Sequence, residues 1–433
     1  MRRALLVVAL ACACGPSPST DAGSPGDAGA VDDAGAPDDD AGVVDDDAGT
    51  SVPIDPVDPA CTTNGCLRAV LPLGTFPQAV VEQYLDEGVV IDNGYSVARV
   101  TFFTDGLEAR AIVTIPEPIV PPSGGYHVVV HAPGTVGVGD VCAAGEGALG
   151  VGLSGYFGAY GFIGVALDYP GLGTPGAHPY LVARVEGRAA LDAARAGIAH
   201  VRRHLVPVSR RVAIAGNSQG GHATIAAARE HATYAPELDV RAFVAAAPAS
   251  MQLDDWAAGV VVDGPHLVYH ALVVHAWAAH YGHGDAPLFA PAIADDVDAI
   301  MDTHCVVGVD GQPLLESALP QTSLALFDAD FLSAYSGASL AAYPAIAIGF
   351  EENAFEAFPF TAPLRIYQGT ADAVVLPAMT QALVATLESA GEDVDYVEVA
   401  GAGHTEVAFG VVAFDQLRAA ESRAYIRALL DQE

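Results

Sequence analysis

The chain contains no lysine; all 18 of its basic residues are arginine. Set against 53 acidic residues, they leave a formal net charge of −35. That balance argues against a phosphate backbone as a partner, so nucleic acid is not expected. It bears on solubility rather than on fold. Beyond the first residues, no apolar run is long enough to cross a membrane as a helix. Cysteine is sparse, six in all, and they do not form the two ligand pairs of a zinc site.

What is present begins with Met1-Arg2-Arg3 and the apolar run Ala4 to Ala13. A basic segment followed by a short apolar one reads as a signal peptide over residues 1–14. Cys12 and Cys14 stand where a bacterial lipoprotein is cut and acylated. Cys14, followed by Gly15-Pro16-Ser17, fits that pattern better, which makes a membrane surface an expected partner through an N-terminal lipid. An ordinary secretory signal is the competing reading. Residues 15–60 repeat Asp-Ala-Gly, from Asp21-Ala22-Gly23 to Asp47-Ala48-Gly49. Such a composition cannot bury enough apolar surface to offset chain entropy, so a disordered tether is expected. The aspartates lack the glycine and terminal glutamate of a calcium loop.

Residues 61–433 suffice for one large α/β domain with an insertion, or for two domains. Ala98 to Phe103, the turn Thr104-Asp105-Gly106, and Ala109 to Ile115 predict a β-hairpin. Further strands are expected over 126–131, 162–167, 212–215, 242–247, 364–367 and 394–399. Helices are expected over 184–205, 221–231, 377–389 and 411–430. Nearly continuous apolar strands separated by helices predict a mostly parallel sheet covered on both faces. The stretch 251–343 breaks this rhythm and reads as a helical cap over the carboxyl ends of the strands. Four cysteines lie beyond the signal region: Cys61, Cys66, Cys142 and Cys305. Three pairings are possible, and Cys142 with Cys305 is the favoured one.

The strongest chemical signal is Gly216-Asn217-Ser218-Gln219-Gly220, directly after Val212-Ala213-Ile214-Ala215. A G-x-S-x-G pentapeptide between a strand and an alanine-rich helix is the nucleophile-elbow pattern. A serine hydroxyl needs a base, and the base needs a carboxylate to orient it. In the α/β-hydrolase fold the order along the chain is serine, acid, histidine. Asp372 follows the strand ending at Tyr367, and His404 follows the last strand in a glycine-rich loop. Ser218, Asp372 and His404 are therefore the expected catalytic residues. One oxyanion donor is expected from the backbone N–H of Gln219. The other is assigned to Thr135 in His131-Ala132-Pro133-Gly134-Thr135, with Gly134 as the competitor.

Several segments resemble the secretory lipases of the α/β-hydrolase superfamily. They are 133–143, beginning Pro133-Gly134-Thr135; 168–181, running from Asp168-Tyr169-Pro170-Gly171 to His178-Pro179-Tyr180-Leu181; and 186–195, beginning Glu186-Gly187-Arg188. The resemblance runs from about Pro116 to the C-terminus. It implies a Ser218–Asp372–His404 triad, a helical lid over an acyl pocket, and hydrolysis of carboxylic esters. Lipids or small esters are the implied substrates. It also supports a Cys142–Cys305 link between the oxyanion loop and the lid. The chain departs from the family pattern at Pro133, at Asn217 and at Ala143-Ala144-Gly145, without losing a catalytic group.

No cofactor or metal is implied. In the cap, His266 and His270 are spaced i, i+4, and His275, His280, His283 and Asp285 follow, but the glutamate of H-E-x-x-H is missing. These histidines are expected on the lid surface or along its pocket. Asp168 is expected to support the loop near the oxyanion site, and Asp192 carries no catalytic expectation. Two other functions fit the same scaffold: a peptidase or amidase, and a silent surface-anchored binding module.

Overall fold

A computed structural model describes residues 43–45, 51–53, 56–83, 85, 89–308, 311–389, 391–407 and 418–432. The signal segment with Cys12 and Cys14, and most of the tether, lie outside them. Within the stretch read as a tether, Val43–Asp45 and Ser51–Pro53 pair antiparallel. Their valines are the β-formers of an otherwise Asp/Ala/Gly region. Among the described residues, no helix is long and apolar enough to cross a membrane.

Nine strands form the main sheet. They are β1 Leu67–Phe76, β2 Gly94–Thr104, β3 Leu107–Glu117, β4 Tyr126–Ala132, β5 Ile163–Asp168, β6 Val208–Asn217, β7 Asp239–Ala246, β8 Leu364–Gly369 and β9 Val394–Val399. Their spatial order is β9-β8-β7-β6-β4-β5-β3-β2-β1. The run from β5 across β4 to β9 is parallel. β1, β2 and β3 are antiparallel, and β3 pairs antiparallel with β5. The expected hairpin is β2–β3. Asp105 and Gly106 turn it at φ 44° and 88°, the positive angles that match the twist of two-residue hairpins.

Seven helices matter for the site and its support. They are α1 Ala148–Ala159, α2 Ala183–Arg203, α3 Gln219–Tyr234, α4 Leu267–Tyr281, α5 Pro344–Asn353, α6 Pro377–Glu388 and α7 Arg418–Leu430. The side-chain alternation of a strand sorts them onto the two faces. Val128 and Val130 of β4 belong to the core that takes in α2, α3 and α6, whereas Val129 belongs to the one that takes in Tyr156 and Phe157 of α1 and Ile426 of α7. The first seven residues of the expected 411–430 helix lie outside the described residues.

Between β7 and β8 the chain forms a separate helical layer with its own apolar core. Trp277, Tyr335, Phe331 and Phe350 are buried there, and the same core takes in Val138, Tyr180 and Val182 from loops at the carboxyl edge of the sheet. The helices of this insertion continue past residue 343. Pro344 opens α5 instead of ending the segment, because proline at a first helical position costs no hydrogen bond.

Candidate active site

β6 ends at Asn217 and α3 begins at Gln219, so Ser218 alone makes the turn. Its backbone stands at φ 56°, ψ −114°, a left-handed φ that non-glycine residues rarely adopt. The flanking glycines make this turn possible. A Cβ at Gly216 would collide with Gly220 O, and one at Gly220 with Ala132 O. Strand, turn and helix therefore close around a half-buried serine.

Asp372 and His404 arrive from the loops after β8 and β9. Because β7, β8 and β9 run parallel to β6, both loops leave the same sheet edge as Ser218. His404 Nδ1 lies 2.8 Å from Asp372 Oδ2. The Asp372 side chain is fully buried, and that of His404 is 15 % exposed. The carboxylate takes three more hydrogen bonds, from the Val374 and Val375 backbone N–H groups and from Gln368 Nε2. With Nδ1–H donated to Asp372, Nε2 of His404 is left as the basic nitrogen. Among the described residues, no hydrogen bond joins Ser218 Oγ to His404. Catalytic contacts of this kind commonly tighten only with substrate in place.

Gln219 N–H is the first amide of α3 and has no carbonyl within its own helix to meet. The loop after β4 carries the other expected donor. Thr135 is buried, and its hydroxyl lies 2.8 Å from the Tyr180 hydroxyl. Tyr169 donates to Pro133 O at 2.9 Å, which fixes the same loop from below. Gly134 lies against Asn217, where a Cβ would strike the amide.

Cys142 and Cys305 are joined, as are Cys61 and Cys66. The first bond ties the loop after β4 to the helical insertion. Asp168 accepts from Gly145 N–H at 3.0 Å and so supports the segment after Cys142. Asp192 instead pairs with Arg195 and Tyr234, away from the site. Of the cap histidines, His266 and His270 stand edge to face with ring centroids 5.9 Å apart, and the others have separate partners. His270 meets Tyr335, His275 meets Asp298, and His283 meets Ala286 O. His270 is pushed down to about 3 by burial, so its ring is neutral.

Sequence reasoning gave no role to Gln368, Tyr180, Glu186 or His178. Gln368 carried no signal, since a strand-end glutamine is unremarkable. The other three stood in the family-like segments, but their partners come from distant parts of the chain.

A family model described as secretory lipase matches residues 158–413, more than half of the chain. No curated protein matches significantly. Among solved structures, a candidate hydrolase from Legionella pneumophila aligns at TM-score 0.71 and 20 % identity, over 85 % of this chain and 99 % of its own. The rice cell wall degrading esterase LipA from Xanthomonas oryzae aligns at 0.69 and 20 %, over 86 % and 98 %. Candida antarctica lipase A in its closed state aligns at 0.62 and 16 %, over 87 % and 84 %. These likenesses establish the α/β fold that the strand pattern predicts, and the chain belongs to the secretory lipase family.

Proposed function

We propose that the chain is an exported serine ester hydrolase acting through Ser218, His404 and Asp372. The observation that carries this reading is the left-handed Ser218 at the strand–helix turn, on the same sheet edge as the bonded His404–Asp372 pair. Ser218 Oγ attacks the ester carbonyl carbon while His404 Nε2 takes its proton. Asp372 holds the imidazole in the required tautomer and stabilises its charge. The negative oxygen of the tetrahedral intermediate is met by the N–H groups of Gln219 and Thr135. Collapse expels the alkoxide, which takes the proton back from His404 and leaves as the alcohol. Water then attacks the acyl-enzyme with His404 as base, releasing the acid and restoring Ser218. No cofactor enters these steps.

The substrate class is a carboxylic ester, either of a lipid or of a small acid. Hydrolysis of p-nitrophenyl esters from acetyl to palmitoyl tests it, with an emulsified triglyceride in parallel. Turnover that vanishes in Ser218→Ala and rises with chain length identifies a lipase; a short-chain preference identifies an esterase. Undiminished turnover in Ser218→Ala removes the assignment.

Export and anchoring form a separate part of the proposal. The basic and apolar N-terminal run, Cys14 and the Asp/Ala/Gly repeats support a lipid-anchored enzyme on a spacer. The two disulfides suit an oxidising compartment. Mass spectrometry of the mature N-terminus tests the anchor. Diacylglycerol on Cys12 or Cys14 is the expected result, and an unmodified residue beyond Cys14 rules it out.

A further inference from the structure

The Glu186 carboxylate, in the first turn of α2, is wholly buried. A buried carboxylate is costly unless its oxygens are paired. Here Oε1 accepts from Gln219 Nε2 at 2.7 Å and from the Leu181 backbone N–H at 2.8 Å, and Oε2 lies 3.0 Å from His222 Nδ1. The two donors to Oε1 lead to the two sides of the oxyanion site. Gln219 carries one donor N–H on its own backbone. Leu181 follows Tyr180, whose hydroxyl holds Thr135.

Both residues are fixed tightly. Leu181 stands at φ 54°, a conformation leucine rarely keeps without an external tether. Its bond to Glu186 is such a tether. The Gln219 amide meets His178 Nε2 at 2.9 Å as well as Glu186. His178 Nδ1 lies 3.0 Å from Pro170 O and so carries the proton there, leaving Nε2 to accept. Burial pushes His178 down and keeps the ring neutral. Both amide hydrogens of Gln219 are then used, while its buried Oε1 has no hydrogen-bond partner among the described residues.

His222 completes the arrangement. Its Nδ1 faces Glu186, and its Nε2 lies 3.2 Å from Asn353 O. Both partners are acceptors, so a ring that donates from both nitrogens would carry a charge that offsets the carboxylate. Asn353 ends α5 of the insertion and also accepts from Ala183 N–H at the start of α2.

We propose that Glu186 is a positioning residue that sets both oxyanion donors, with imidazolium His222 as its charge partner. The proposal rests on the ester-hydrolase reading above. Glu186 touches no substrate. It acts by reach, one oxygen holding Gln219 and Leu181 together.

Two variants separate reach from charge. Glu186→Asp keeps the charge and loses the reach. Glu186→Gln keeps an acceptor for Gln219 and Leu181, and its amide can donate to a neutral His222. Active sites are counted by covalent labelling with an alkylphosphonate, so that misfolded protein drops out of the comparison. The expected result is a fall in kcat per site of about tenfold to a hundredfold for Glu186→Asp, with KM within about threefold of wild type. Glu186→Gln is expected to stay within about threefold in kcat. The reverse order, or an unchanged Asp variant, overturns the positioning role. Nitrogen NMR of histidine-labelled protein needs no turnover: His222 is expected doubly protonated in wild type and singly protonated in Glu186→Gln. A singly protonated His222 in wild type overturns the charge pairing. If wild type hydrolyses no ester, the hydrolase reading and the oxyanion role both fall, while the NMR result still decides the pairing.

Discussion

Asp372 accepts the Nδ1–H of His404 at 2.8 Å while three further donors pin the same carboxylate. The acid is therefore held before any substrate arrives, and the imidazole inherits its orientation from the backbone of the β8 loop. Replacing Asp372 by Asn keeps the size but puts an amide against His404. The ring then favours the wrong tautomer, with Nε2 protonated. The expected loss in kcat is about 10³- to 10⁴-fold, by analogy with known serine hydrolases. Steady-state kinetics on p-nitrophenyl esters measures it. A loss under about tenfold would place the orienting acid elsewhere.

Tyr180 links the helical insertion to the loop after β4, which carries the proposed oxyanion donor Thr135. Trp277 of α4 donates to its carbonyl at 3.0 Å, and its hydroxyl meets Thr135 at 2.8 Å. Tyr180→Phe removes only the second bond and retains the packing. We expect kcat to fall by about threefold to tenfold with the melting temperature nearly unchanged. An unaltered kcat would detach the Thr135 hydroxyl from catalysis.

The Cys142–Cys305 bond closes a sequence separation of 163 residues. Loop-closure entropy for so long a segment gives a stabilisation of about 2–5 kcal/mol. Cys305→Ser is expected to lower the unfolding free energy by that amount, read as a shift of the urea midpoint. Because this bond also ties the insertion to the loop of the proposed donor Thr135, kcat is expected to fall along with stability. Cys61–Cys66 spans only five residues, so its removal has a smaller entropic consequence.

The strand–turn–helix at Ser218 was legible because its geometry is local. Two glycines, a strand and a helix around Ser218 leave one backbone solution. The positions of Asp372 and His404 at the same sheet edge were legible because each directly follows a readable strand. Glu186 was not, because its role depends on Leu181, Gln219 and His222 meeting at one carboxylate. No spacing in the chain encodes that meeting. β1 also escaped the sequence reading. Pro72 and Gly74 interrupt it, and its register shifts between Pro72 and Gly74, as an edge strand tolerates. α1 was hidden by glycines that a helix normally avoids. At Gly155 a Cβ would strike the Tyr95 ring, so the glycine is the condition for helix and sheet to touch.

His131 offers a test of stability against pH. It lies in β4, wholly buried, and among the described residues neither ring nitrogen has a hydrogen-bond partner. Burial pushes its pKa down to about 3, whereas an unfolded chain protonates histidine near about 6.5. Between those values the unfolded state binds a proton that the folded state refuses. Stability is thus highest above the upper value and falls with acidification, by about 1.4 kcal/mol per pH unit for this residue. His131→Leu removes this residue's share of the slope and leaves that of other buried histidines such as His270. Urea unfolding at pH 7 and pH 5 measures it. The variant is expected to gain about 2 kcal/mol on wild type between the two conditions. Equal pH slopes for the two proteins would mean that the folded state already accommodates the imidazolium.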